Sequence, residues 1–215
     1  MRATGVQTLV MAGRRLAEAG ISPGTSGNLS MRDGERILIT ASGADLGRLD
    51  EASIAEVGLD GTHRQGPRPS KEVAVHVAMY TRNPGHTATV HVHSPHAVAV
   101  ACLPPWSEIS SVPPITPYFV MRVGQVPLIP YRAPGDPELG TLIAGQPRSF
   151  RAALLANHGQ VTSGTGMDDA LSAAVELEET CRITLLTAGR EPRVLSDEAI
   201  AELARRSSTA WVPVG

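Results

Sequence analysis

Cysteine is scarce: Cys102 and Cys181 are the only two in 215 residues, and they lie far outside any CxxC spacing. A secreted disulfide scaffold would carry more, so a reducing, cytoplasmic setting is expected. Aromatic residues make up 3% of the chain, too few for the stacking platforms that hold bases or sugars. Charge of one sign is missing as well, since 19 Lys plus Arg against 21 Asp plus Glu leave a formal net charge of −2. Without a global cationic field, neither nucleic acid nor an anionic membrane is expected as a partner. No uninterrupted apolar run approaches the ~20 residues of a membrane span. Residues 1–20 carry Arg14, Arg15 and Glu18 where a signal peptide needs its apolar segment. A polar ligand must then be held by local charge, backbone amides or a metal.

What is present is a globular composition, 42% hydrophobic, that suits one domain spanning residues 1–215 around a sizeable core. Val6, Leu9, Val10, Leu16 and Ala17 recur at helical spacing, and Ile21-Ser22-Pro23-Gly24 stops that helix. A glycine-bearing loop over residues 24–30 follows, then a β-type run over 36–40 and a second small-residue corner, Ala41-Ser42-Gly43. Residues 60–69 are turn-rich. Ser70 has the placement of an N-cap for a helix running through Val73, Val77 and Met79 towards Tyr80, with Glu72 in its first turn. Buried strands are predicted over 87–93, 125–131 and 151–156, and helices over 95–103, 168–188 and 196–206. Such alternation predicts α/β layers around one sheet, of unreadable strand order. Pro104-Pro105 and the prolines from Pro113 to Pro117 enclose a loop long enough to border a site.

The sharpest local feature is His91-Val92-His93, because alternate strand residues share a face and bring two imidazoles within reach of one cation. Two ligands make half a site, and an incidental pair of histidines is an equal reading. Asn157-His158-Gly159, ending the apolar run Leu154-Leu155-Ala156, offers a third imidazole at a strand end, and three histidines with an open position suit catalytic zinc. His96 is a weaker candidate, and His63 and His86 read as exposed. Glu72 is either a helix-start carboxylate favoured by the dipole or an acid/base. The small-residue corners are either plain loops or a cradle for an oxyanion. Lys71 adds a point charge to that helix start, or is simply solvated. Tyr118 reads as a packing residue or a proton donor, and Glu176, Glu178 and Glu179 as a solvated helix face.

The order of these pieces carries more than any one of them. Gly-Thr-Ser-Gly-Asn at 24–28, Thr-Ala-Ser-Gly at 40–43, Pro-Ser-Lys-Glu at 69–72, His-Val-His and Asn-His-Gly together resemble the class II aldolase/adducin family over nearly the whole chain. Pro69-Ser70-Lys71-Glu72, His91-Val92-His93-Ser94, Pro114-Ile115-Thr116-Pro117-Tyr118, the stretch from Tyr131 to Pro137 and Leu155-Ala156-Asn157-His158-Gly159 together look closest to the branch that decarboxylates 3-oxo-tetronate 4-phosphates. The resemblance implies a single three-layer αβα domain, with His91, His93 and His158 as ligands of one Zn2+ per subunit and Glu72 as acid/base. Asn28, Ser42, Gly43 and Ser70 would bind the phosphate of a small sugar-acid substrate. Tyr118 matches a tyrosine that donates a proton in the family's aldolases, often into a neighbouring subunit's site, and a homotetramer is implied. Those aldolases have two serines before the glutamate, whereas this chain has Ser70-Lys71, so Lys71 is expected to help select a substrate with an additional anion. The implied reaction yields dihydroxyacetone phosphate and CO2 through an enediolate. The runner-up is a sugar-phosphate aldolase or dehydratase, and a non-catalytic adducin-like module comes last because the histidine set is intact.

Overall fold

The structure, a computed structural model, describes residues 2–22 and 24–213. Pro23, part of the expected helix stop, lies outside the described residues, as do the extreme ends of the expected domain. The helical spacing near the start produces α1 (Arg2–Glu18), which buries Val6, Leu9, Ala12 and Leu16 along one stripe. The expected loop over 24–30 ends early, because β1 (Asn28–Asp33) begins at Asn28. Its alternation is hidden in the sequence: Leu29 and Met31 pack into apolar surroundings on one face, while Asn28 and Ser30 on the other are also buried and are paired with polar side chains. A strand buried on both faces by unlike residues does not show a hydrophobic period of two.

Among the described residues eight strands form one sheet in the order β4-β3-β2-β1-β5-β8-β7-β6. They are β1, β2 (Arg36–Thr40), β3 (Ile54–Gly58), β4 (His63–Gln65), β5 (Ala88–Val92), β6 (Leu128–Ile129), β7 (Ala152–Leu155) and β8 (Gly159–Gly164). Among the described residues only β6 and β7 run parallel; every other pair is antiparallel. The strand expected over 125–131 shrinks to two residues, because Pro127 and Pro130 flank it and supply no N–H to the ladder. The unforeseen β8 carries Gln160 and Thr162, whose side chains donate to the carbonyls of Ala174 and Ala170 and so look polar in sequence while being buried.

Helices cover both faces, giving the three layers. On one side α1 and α6 (Met167–Leu186) cover the middle of the sheet. Beside them α3 (Pro95–Ala101) and α4 (Pro117–Arg122) pack over β7. On the other side α2 (Val73–Arg82) and α5 (Glu138–Ala144) pack over β6, β7 and β8, and α2 reaches β2 and β3 through Val73, Val77 and Tyr80. The last helix, α7 (Asp197–Ser207), lies against Val120 of α4. No helix among the described residues is long and apolar enough to cross a membrane.

Of the three glutamates expected to be solvated, only Glu179 is about half exposed, and it pairs with Arg182. Glu178 accepts from the backbone N–H groups of His96 and Ala97 at 3.0 and 2.9 Å and contacts Nδ1 of His96 at 2.7 Å. It thereby caps α3, which Ser94 leaves without a side-chain cap. Glu176 is mostly buried, 3.7 Å from Arg122. His86 is half-buried against Ser163 at 2.8 Å, whereas His63 is exposed as expected. The proline-bounded loop is tied to the chain ahead of β6 by Ser111 N–H donating to Val126.

Candidate active site

Four side chains converge at one end of the sheet centre. Strand β5 turns Val90 and Val92 into the α1/α6 side, so His91 faces α2, and its Cα pairs with that of Asn28 on β1. His93 stands just past the strand, and His158 comes from the β7–β8 turn, behind Asn157 at φ 55, a conformation asparagine tolerates. Gly27 is needed beside them: its φ is 86, and a Cβ there would stand 2.8 Å from the His91 carbonyl oxygen. Glu72 sits at the N-cap of α2 without a capping bond, because its carboxylate turns inward. Ser70, expected to cap that helix, instead accepts from the Glu72 N–H at 3.2 Å and holds the turn ahead of it.

The three imidazole centroids lie 5.0, 5.0 and 4.8 Å apart, edge to face. Together with a carboxylate oxygen of Glu72, their ligand atoms all fall within 4.8 Å of one another. Nδ1 of His91 faces the carbonyl of Gln160 at 2.8 Å, an acceptor, so in the neutral ring Nδ1 carries the proton and Nε2 a lone pair. That lone pair meets Oε2 of Glu72 at 3.2 Å and Nε2 of His93 at 3.1 Å. Nε2 of His158 lies 3.1 Å from Oε1 of Glu72, yet Oε1 and both nitrogens of His158 are buried without a satisfactory hydrogen bond. Buried acceptors gathered face to face are unfavourable without a cation among them, and this donor set suits a divalent metal ion. Burial alone would raise the Glu72 pKa, but contacts from His158, His91 and Asn28 outweigh it and hold the carboxyl well below the usual range. Burial, with the nearby charge of Lys71, pushes His93 down to about 4.

The profile of the class II aldolase and adducin N-terminal domain matches residues 7–185. The chain belongs to that family. It is 38% identical over 201 residues to the 3-oxo-tetronate 4-phosphate decarboxylase of Haemophilus influenzae, covering 93% of this chain and 96% of that one. It is 33% identical over 198 residues to the L-fuculose phosphate aldolase of Escherichia coli, covering 90% and 89%. Among solved structures, the YgbL protein of Klebsiella pneumoniae superposes with a TM-score of 0.88 at 39% identity, over 94% of this chain and 98% of that one.

Around the Glu/His3 centre of this class II aldolase relative, the other expected residues are distributed unevenly. The bridge between Ala41 and Pro69 and the bond from Ser70 N–H to Thr40 bring the Ser42-Gly43 corner against the start of α2, with Ser42 and Gly43 exposed and Ser70 buried. Asn28 is buried, its amide donating to Oε2 of Glu72 at 2.8 Å. Lys71 is exposed, and the stem of its side chain lies against Gly135, where an added Cβ would stand 3.1 Å from three of its carbons. Tyr118 is not brought to the cluster within one chain. It is 55% exposed on α4, on the far side of the sheet from His91, with the Arg122 guanidinium 4.8 Å over its ring. His76, Ser30 and Tyr80, which sequence reasoning passed over, stand behind Asn28. The signal available for His76 was its place four residues after Glu72, one helical turn on and on the same face.

Proposed function

We propose that this enzyme, a single domain over residues 1–215, decarboxylates a 3-oxo-tetronate 4-phosphate to dihydroxyacetone phosphate and CO2. The observation that carries the reading is the start of α2. There a lysine, not a second serine, precedes Glu72 beside the three histidines, in a chain with 38% identity to a decarboxylase of that name and 33% to an aldolase. A substrate with both a carboxylate and a phosphate has one more anion than an aldolase substrate. Lys71, braced by Gly135 and close enough to bias His93, supplies the extra cation, with the phosphate as its partner. Too tight a hold on the carboxylate would oppose its loss.

His91, His93 and His158 would hold one divalent cation, for which we propose zinc, and such an ion supplies a Lewis acid for the ketone oxygen. Ser42, Gly43 and Ser70 bind the phosphate at the α2 start, where amide dipoles favour an anion. Asn28 has one amide hydrogen committed to Glu72 and offers the second. As the C1–C2 bond breaks, CO2 leaves and the electron pair passes into an enediolate across C2 and C3. A proton then adds at C2. The reaction consumes that proton from solvent: Glu72, ionised at rest, takes it up on Oε1, the oxygen that Asn28 does not occupy, and passes it to C2. Tyr118 assists from a neighbouring subunit of a cytoplasmic homotetramer, and what supports the assembly is the exposed set Leu103, Trp106 and Tyr118 near α3 and α4.

The test is incubation of the metal-loaded protein with both C2 epimers of the oxo acid phosphate. Release of CO2 in equal amount with dihydroxyacetone phosphate is expected. Neither product from either epimer, together with cleavage or dehydration of a pentose or deoxyhexose phosphate, would establish the aldolase or dehydratase reading instead.

A further inference from the structure

Behind Glu72 runs a line of buried polar side chains that no ligand is needed to explain. Asn28 Nδ2 lies 2.8 Å from Oε2 of Glu72, Asn28 Oδ1 lies 2.5 Å from Nε2 of His76, Nδ1 of His76 lies 2.6 Å from Oγ of Ser30, and Ser30 Oγ lies 2.7 Å from the Tyr80 hydroxyl. Asn28 is 4% exposed and the other three 0%, so water does not complete their hydrogen bonding.

The direction of every link follows from its one end. An ionised carboxylate only accepts, so Asn28 must present its NH2 to Glu72 and its carbonyl to His76. That carbonyl only accepts, so His76 carries its proton on Nε2. A neutral ring then has a lone pair at Nδ1, which requires Ser30 to donate, and Ser30 in turn accepts from Tyr80. All four bonds donate towards Glu72.

We infer that His76 is a positioning residue for the proton-transfer group: as a neutral Nε2–H imidazole it locks the Asn28 amide in the one orientation that donates to Glu72. Released from His76, the amide can rotate its carbonyl towards the carboxylate, where two acceptors repel and Oε1 is carried away from the cluster. An apolar core residue at this position would leave both Asn28 Oδ1 and Ser30 Oγ without their partner. This inference rests on the reading of Glu72 as the proton-transfer group.

Two variants separate positioning from mere packing. His76→Gln keeps an N–H donor near the Nε2 place, whereas His76→Asn reaches only the Nδ1 place and leaves Asn28 without its donor. With metal content near one per chain in both, we expect kcat within about fivefold of wild type for His76→Gln. For His76→Asn we expect kcat to fall by about 10²-fold, the scale of a misplaced catalytic group, with KM changed by less than about threefold. Equal losses in the two variants, or kcat falling in step with bound metal, would overturn the inference. A second measurement needs no variant and no substrate: long-range nitrogen–proton NMR of the metal-loaded protein labelled at histidine should show His76 protonated at Nε2 alone. A proton on Nδ1 would overturn the inference even if both variants failed to fold. Wild-type protein that releases no CO2 while His76 shows the Nε2–H form would defeat the decarboxylase reading and leave this one standing.

Discussion

Replacing Glu72 by glutamine keeps the side-chain shape and removes its charge, and the surroundings dictate how the amide must sit. Asn28 donates to Oε2 at 2.8 Å, so the new carbonyl takes that place and the new NH2 takes the place of Oε1, 3.1 Å from Nε2 of His158. No buried charge remains, but the contacts that hold the Glu72 carboxyl below its usual range favour the ionised form in the folded chain, so the thermal midpoint of the metal-free variant should fall at or below that of wild type. The three histidines are untouched, and metal content should stay near one per chain. An amide neither gives nor takes a proton at neutral pH. Turnover should therefore fall by ~10²–10⁴-fold, the range for a general acid–base, or about 2.7–5.4 kcal/mol of barrier at ~1.36 kcal/mol per decade. The assay is CO2 release at saturating substrate, with bound metal counted on the same sample. Turnover within threefold of wild type would return Glu72 to a helix-start carboxylate, and metal lost in proportion to turnover would make it a ligand rather than a proton carrier.

Replacing His91, His93 and His158 together by alanine should abolish stoichiometric metal binding while the fold persists by circular dichroism; full metal content in a folded triple variant would refute the ligand set. Lys71→Ser should raise KM for the oxo acid phosphate at least tenfold, the scale of one lost charged hydrogen bond, and leave metal content unchanged; an unaltered KM would return Lys71 to a solvated side chain. Ser70→Ala should weaken phosphorylated substrates selectively, and equal handling of the dephosphorylated substrate by wild type would leave a phosphate cradle with nothing to explain. Burial lowers the His76 pKa to about 3, so between about pH 6.5 and 3 the unfolded chain binds a proton that the folded chain does not, and stability falls as pH falls through that window. For metal-free protein, urea midpoints should show a loss of about 1 kcal/mol or more between pH 7 and 5.5 from this residue, with His86 and His93 shifting the same way; a flat profile would refute a neutral His76.

The proposed ligands were legible in the chain because two of them sit at strand spacing, and period two alone puts His91 and His93 on one face. The α2, α3, α6 and α7 helices were legible from apolar spacing and turn residues. What hid β1 and β8 was the same circumstance in each: polar residues such as Ser30, Gln160 and Thr162 are buried with bonded partners, so hydrophobic periodicity, which reads burial through apolarity, does not register them. Glu178 was misread for a related reason, since its partners, the N–H groups of α3, lie about 80 residues away in the chain. Local pattern suffices to put two imidazoles on one face, to end a strand run with a third, and to open one helix with a serine, a lysine and a glutamate. Tertiary packing is what turns Glu72 inward rather than leaving it to cap its helix, sets β1 beside β5 so that Asn28 meets His91, and stands His76 behind Asn28. Those are contacts between strands and a helix distant in sequence, set by the order of strands in the sheet, and no local pattern of residues encodes that order.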